Sequence, residues 1–190
     1  LKSKGILKFI ELASIFSKNK FEIYGSIDLS SEDSLYEKEI DILKKQNNNL
    51  KFLKQIDNPL IFNKSPFPIL IVPSNYGEGN PRAILEANAL SIPVISSKLV
   101  KTKLPKDCFT YFAKTDNIKS YKLAISEVIK DFNNKKLKNR LFKASQNIKN
   151  DYTEEEIAKR TNRLYTLLLK RDQKSYLIDK DNAKIQKWLP

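Results

Sequence analysis

Histidine is absent from this 190-residue chain, and cysteine occurs once, at Cys108. The first absence excludes histidine-ligated zinc catalysis and every histidine-dependent triad. The second leaves no internal disulfide framework and too few thiols for a cysteine-built metal site. No apolar run approaches the ~20 residues that a membrane-spanning helix needs, and no signal-peptide pattern follows Leu1. Opening on leucine rather than methionine, the sequence reads as a piece that begins partway into a longer protein. Its length suffices for one sizeable core.

Arginine is scarce as well. The chain carries a net charge of +13 from 35 basic residues, yet only Arg82, Arg140, Arg160, Arg163 and Arg171 are arginine. Recognition of bases and phosphates favours the forked guanidinium, so a nucleic-acid role is disfavoured. The abundance of lysine, asparagine and isoleucine reads as the composition of an AT-rich genome. The alternative is a basic face for anionic lipid heads, lipid-linked diphosphates or nucleic acid.

What is present is an alternation of apolar patterns. "KGILKFIELASIFSK" (Lys4–Lys18) has the 3.6-residue period of an amphipathic helix, with Ile6, Leu7, Ile10, Ala13 and Phe16 as its stripe. "FEIYG" reads as a strand, "EKEIDILKKQ" as a helix and "LKFLKQI" as a second strand. "FPILIVPS" is continuously apolar, as a parallel strand buried on both faces should be. Pro81 opens the next helix at its first turn with Asn80 as N-cap, and "IPVISS" returns as a strand. "FTYFA" and "IKSYKLAISEVIKDF" add a strand and a helix. "TEEEIAKRTNRLYTLLLK" closes as a helix with a Thr153–Glu156 capping box and an apolar stripe of Ile157, Leu164 and Leu168 that seeks a partner outside the domain. The order predicts an α/β fold, a Rossmann-like, mainly parallel sheet with helices on both faces. One domain over residues 1–170 is expected, followed by a polar tail over 171–190.

In such sheets ligands bind beyond the carboxyl ends of the strands. The loop Ser74–Asn80 leaves a buried strand and enters a helix whose unpaired N–H groups suit phosphate. Gly77 and Gly79 allow close backbone approach to a ligand. Glu86 lies about one and a half turns into the helix, among Ile84, Leu85, Ala87 and Ala89. A carboxylate so surrounded needs a partner. It is well suited to a pair of vicinal hydroxyls, as on ribose, and Glu78 in the loop could serve a hexose in the same way.

"EGNPRAILEANALSIPVI" resembles the signature of the family-four (group 1) retaining glycosyltransferases of GT-B fold, whose hallmark is two glutamates separated by seven residues, here Glu78 and Glu86. "KGILKFIELASIF", "FEIYGS", "NLKFLKQI" and "DYTEEEIAKRTNRLY" resemble further parts of the donor-binding domain, in the same order. The resemblance implies the C-terminal half of a GT-B fold, with a nucleotide sugar as donor substrate and no metal. It implies that Lys4 binds the donor pyrophosphate and stabilises the leaving group, that Glu78 faces the donor sugar, and that Glu86 holds the ribose. Backbone contacts would come from Gly79, Asn80 and Arg82. Gly25 and Ser26 match a glycine turn beneath the diphosphate or form a plain strand-end turn. Gln55 and Ile56 would face the nucleobase. The plainer alternatives are a solvated lysine at position 4, a surface acid at 78 and a salt bridge from Glu86 to Arg82.

Several positions depart from the family pattern. Lys54 stands where a glycine is common, Ser91 replaces the glycine before "IPVI", and "SSKLVKTKLP" replaces a glycine-rich turn. No part of this sequence resembles the acceptor-binding domain that precedes this half in GT-B enzymes, so the isolated piece is expected to lack it and to be inactive. The family's habits imply bacterial polysaccharide or lipopolysaccharide synthesis, in the cytoplasm or at the inner membrane face, with a sugar or lipid-linked acceptor. The rivals are a donor-binding-only or degenerate domain, and a sugar-nucleotide epimerase of the same fold, which would commonly place histidine in this half.

Overall fold

Continuous apolar runs form strands that are covered on both sides, and the helices between them supply the covers. The computed structural model describes residues 1–56, 67–77, 81–103, 108–114, 116–132 and 135–172. They form two units, Leu1–Lys149 and Asn150–Pro190. In the first unit the order is α1 (Ile6–Ile15), β1 (Phe21–Tyr24), α2 (Glu37–Gln46), β2 (Leu50–Leu53), β3 (Leu70–Val72), α3 (Arg82–Ala89), β4 (Val94–Ser97), a 3-10 helix (Lys98–Lys103), β5 (Tyr111–Ala113), α4 (Ile118–Asp131) and α5 (Lys135–Asp151). The last of these runs just past the unit boundary.

Among the described residues every strand pairing is parallel, as the sequence predicts, but the strands form two sheets, a two-stranded ladder and a three-stranded one. β1 pairs with β2, Phe21 opposite Leu50 and Tyr24 opposite Leu53. β4 lies between β3 and β5, with Ile95 opposite both Ile71 and Tyr111. Side chains alternate across a strand, and β4 shows the result. Ile95 joins a core with Ile10, Leu12 and Ala13 of α1, Phe21 and Leu50 of the first ladder, and Tyr121, Ala124 and Val128 of α4. Its neighbour Val94 packs on the other side with Ile84 and Ala87 of α3 and with Val100. Helices therefore cover both faces, and the first core ties the two ladders together.

Local chemistry explains the boundaries. The backbone N–H of Tyr36 donates to Glu39 at 2.8 Å, fixing the start of α2. Asn117 caps α4 by accepting from the Ser120 N–H at 3.0 Å. Helix α3 begins at Arg82 with Pro81 at the N-cap position, one residue later than expected, and Asn80, the expected cap, lies outside the described residues. In α1, Ile10 and Ala13 point inward as predicted, while Leu7 turns to solvent and Leu12 is buried in its stead. Helix α5 is not anticipated by the sequence reading. Its inward face is Leu137, Leu141, Ala144, Ser145 and Ile148, a helical spacing set among lysines.

The C-terminus of α3 carries a strained residue. The Ile92 N–H donates to the Ala87 carbonyl at 2.8 Å and the Ser91 N–H to Asn88 at 3.0 Å, the paired bonds of a Schellman closure. That closure requires a left-handed residue, and Ser91 takes φ of 58°. A side chain in this conformation costs about 1–2 kcal/mol. Ser91→Gly is expected to stabilise the chain by about 1 kcal/mol, raising its thermal midpoint by about 2–4 °C. A lowered midpoint would contradict this account of the helix end.

In the second unit, α6 (Glu154–Asp172) starts with the Glu156 N–H donating to the Thr153 hydroxyl at 3.2 Å, one arm of the predicted capping box. Lys159 reaches Glu155 and Glu156, each at 3.0 Å. Ile157 and Leu168 of its apolar stripe are exposed. Among the described residues no helix is long and apolar enough to cross a membrane.

Candidate functional site

The predicted positions that the structure describes lie on segments that follow β1, β2 and β3 or, for Lys4, on the turn before α1. The centre is the turn Leu1–Gly5 that leads into α1. Gly5 has φ of +78°, and a Cβ there would fall 1.9 Å from the Pro73 carbonyl oxygen. The helix start therefore lies backbone to backbone against the chain leaving β3. Asn75, two residues on, locks that contact. Its N–H donates to the Ser3 carbonyl at 2.9 Å, its side-chain amide donates to the Lys2 carbonyl at 3.3 Å, and its side-chain oxygen accepts from Lys8. Lys8 also pairs with Asp116 in the loop after β5, so α1 fastens two strand-end loops at once.

This clasp brings Lys4 to the loop that leads toward Glu78. The Lys4 ammonium lies 5.1 Å from the centre of the Tyr76 ring, within the range of a cation–π contact. Glu78, Gly79 and Asn80 themselves lie outside the described residues. A second juxtaposition forms at the first ladder. The Gly25 N–H donates to the Leu53 carbonyl at 3.1 Å, so Gly25 and Ser26 leave β1 beside the segment that carries Gln55 and the half-buried Ile56 out of β2.

Glu86 occupies a different setting from the one its sequence neighbours suggest. Ile84, Ala87 and Asn88 turn inward, and the Glu86 side chain faces outward at 48% exposure. Its partner in the structure is Arg82 one turn back, at 4.0 Å from guanidinium nitrogen to carboxylate oxygen. A pair that open to solvent contributes little to stability, which leaves the carboxylate available to hydroxyl groups. Arg82 itself is solvent-facing on the first turn of α3.

Two features of the site escape sequence reading. Asp33 accepts from the Ser3 N–H at 3.1 and 2.9 Å through its two oxygens, and from the Ser3 hydroxyl. Those bonds, the hydroxyl's first, hold its carboxyl below the usual carboxylate range. Tyr121 is buried beneath Lys8, and burial, followed by the charge of Asp116, pushes its phenol well above the ordinary value. The contacts of Asp33 with Ser3 and of Tyr121 with Lys8 both join segments far apart in sequence. The one local signal is Asn75 at the mouth of the loop Ser74–Asn80.

A hollow of about 550 Å³ opens at the opposite edge, lined by Phe67, Pro68, Ile92, Pro93, Phe132 and Leu141 among others. Its described lining includes no carboxylate for sugar hydroxyls.

The fold is shared with known proteins. The chain superposes on a glycosyltransferase from Rickettsia africae with a TM-score of 0.70 at 17% identity, covering 88% of this chain and 45% of the other. Sucrose-phosphate synthase from Thermosynechococcus elongatus gives 0.69 at 21% identity, with 90% and 44% covered. Anabaena Alr3699/HepE, solved in complex with UDP, gives 0.71 at 17% identity, with 87% and 46% covered. These likenesses establish the fold, and the chain spans less than half the length of each of the three. No curated protein matches it in sequence. The sequence pattern of the family described as "Glycosyl transferases group 1" matches residues 1–148. This chain therefore belongs to the group 1 glycosyl transferases.

Proposed function

We propose that the chain is the donor-binding half of a retaining glycosyltransferase that transfers a sugar from a nucleotide sugar to a sugar or lipid-linked acceptor. The observation that carries this reading is the clasp of Gly5 and Asn75, which sets Lys4 beside the loop running toward Glu78. Lys4 would neutralise charge growing on the leaving diphosphate, an electrostatic contribution made where the charge develops. Glu86 would accept hydrogen bonds from the ribose and Glu78 from the transferred sugar. Together they would hold the anomeric carbon toward the acceptor, a proximity contribution. Gly25 and Ser26, with backbone N–H groups near Gly79, Asn80 and Arg82, would approach the diphosphate, and Ile56 would lie against the base.

With lysine and backbone groups meeting the diphosphate, no metal is needed in this scheme. The acceptor would be bound by a preceding domain, and the setting would be bacterial polysaccharide or lipopolysaccharide assembly on the cytoplasmic side. HepE, bound to UDP in one solved structure and to UDP and glucose in another, supports a nucleotide-sugar donor by analogy.

Calorimetric titration with UDP, GDP and their common sugar conjugates tests the reading. One of these series is expected to bind, and Glu86→Ala to weaken it roughly tenfold, the loss of a charge-assisted hydrogen bond or two. Undiminished binding to the alanine variant would remove Glu86 from the site.

A further inference from the structure

A lysine on the turn before a helix ordinarily has wide conformational freedom, which weakens any ligand contact it makes. Here the turn is held from two sides. From the β3 side come the Asn75 bonds to Lys2 and Ser3. From the β1 side comes Asp33: the Lys2 N–H donates to its carbonyl at 2.7 Å, and Ser3 donates both its N–H and its hydroxyl to the carboxylate. Every described bond that Asp33 makes into this turn falls on the two residues immediately before Lys4.

Asp33 is itself well seated. Its N–H donates to the Ser31 hydroxyl at 3.2 Å, and the next hydroxyl, on Ser34, reaches back to the Asp28 carbonyl at 2.6 Å. The Ser30 N–H and hydroxyl both bond Asp28, the N–H at 3.0 Å. The loop that leaves β1 through Gly25 and Ser26 is thus folded into a support that ends on Ser3. An added anion near a phosphate site opposes binding. The charge of Asp33 is directed at the Ser3 donors and balanced in part by Lys2, so its effect is to fix the turn through charge-assisted bonds.

We propose that Asp33 is a positioning residue for the donor diphosphate, acting through Lys4. The proposal rests on the donor-site reading above and extends it to a residue outside the glutamate motif. It separates two contributions, since Asp33 should govern affinity for the second phosphate and leave the nucleoside contacts alone.

The test titrates UDP, UMP, GDP and GMP into the full chain and into Asp33→Ala, Lys4→Ala and the double variant. The unaltered chain is expected to prefer a diphosphate over its monophosphate. Asp33→Ala should lose about tenfold in diphosphate affinity, equivalent to about 1.4 kcal/mol, with monophosphate affinity unchanged. In the Lys4→Ala background the same substitution should cost nothing further, because its effect passes through the lysine. Asp33→Asn keeps one acceptor oxygen, should lose less, and serves if the alanine variant does not fold. An unaltered chain that binds diphosphate no better than monophosphate overturns the donor-site reading and this proposal with it. A chain that discriminates, with Asp33 variants that discriminate equally or losses that add to that of Lys4→Ala, overturns the positioning role alone.

Discussion

Gly5→Ala is expected to destabilise the chain by about 2–5 kcal/mol, lowering its thermal midpoint by roughly 4–20 °C. Two costs combine. The left-handed φ of +78° disfavours any side chain, by about 1–2 kcal/mol. The new Cβ would also lie 1.9 Å from the Pro73 oxygen and 2.5 Å from its carbonyl carbon. Both are backbone atoms that cannot swing aside, so relief requires prying α1 from the end of β3, and overpacking of this kind costs about 1–3 kcal/mol. Gly25→Ala is the control. Its φ of +154° is also unfavourable, but a Cβ there meets nothing within 4 Å, so it should remain folded with a smaller loss. Thermal melts of the two variants settle the matter. Equal midpoints would mean that α1 does not pack against Pro73.

Asn88→Leu should destabilise the chain by about 2 kcal/mol, a fall of about 4–8 °C, although it replaces a fully buried side chain with an apolar one of similar size. Asn88 makes two bonds that leucine cannot. Its amide donates to the Ile84 carbonyl at 2.9 Å, and its oxygen accepts from the Phe109 N–H at 2.8 Å. The second bond links α3 to the chain entering β5, and losing it leaves an N–H at a packed position without an acceptor. Phe109 is pinned there by the Arg140 guanidinium 4.2 Å above its ring and by Tyr111 edge-on at 5.2 Å. Hydrogen exchange gives a residue-level check, since the Phe109 amide should lose protection ahead of the β4 amides. Protection retained at Phe109 would show that another acceptor serves it.

Much of the fold is legible because parallel strands buried on both faces must be continuously apolar. Val94 and Ile95 face opposite cores, and no alternating pattern would satisfy both. Helix α5 escaped reading although Leu137, Leu141, Ala144 and Ile148 keep a helical period. Its exposed positions are so rich in lysine and asparagine that the segment resembles a linker. Glu86 shows the limit of reading by neighbours. At 100° per residue, Ile84 and Ala87 turn away from it, so a carboxylate adjacent in sequence to apolar residues stands on an open face. The glutamate motif marks the region of the proposed site, but the contacts around it are non-local. Asp33 meets Ser3 thirty residues away, Asn88 meets Phe109 twenty-one away, and neither segment bears a mark of the other.

The tie from Lys8 to Asp116 spans 108 positions, and this has a bearing on synthesis. At about 5–20 residues per second, the ribosome needs roughly 5–20 s to bring the partner of Lys8 into being. During that interval the first helix can form locally but cannot be clasped to β5. The first helix is thus made well before the last of the contacts that seat it. A nascent chain interrupted before Asp116 would hold both glutamates of the motif without the Lys8 tie that fastens α1 to the loop after β5.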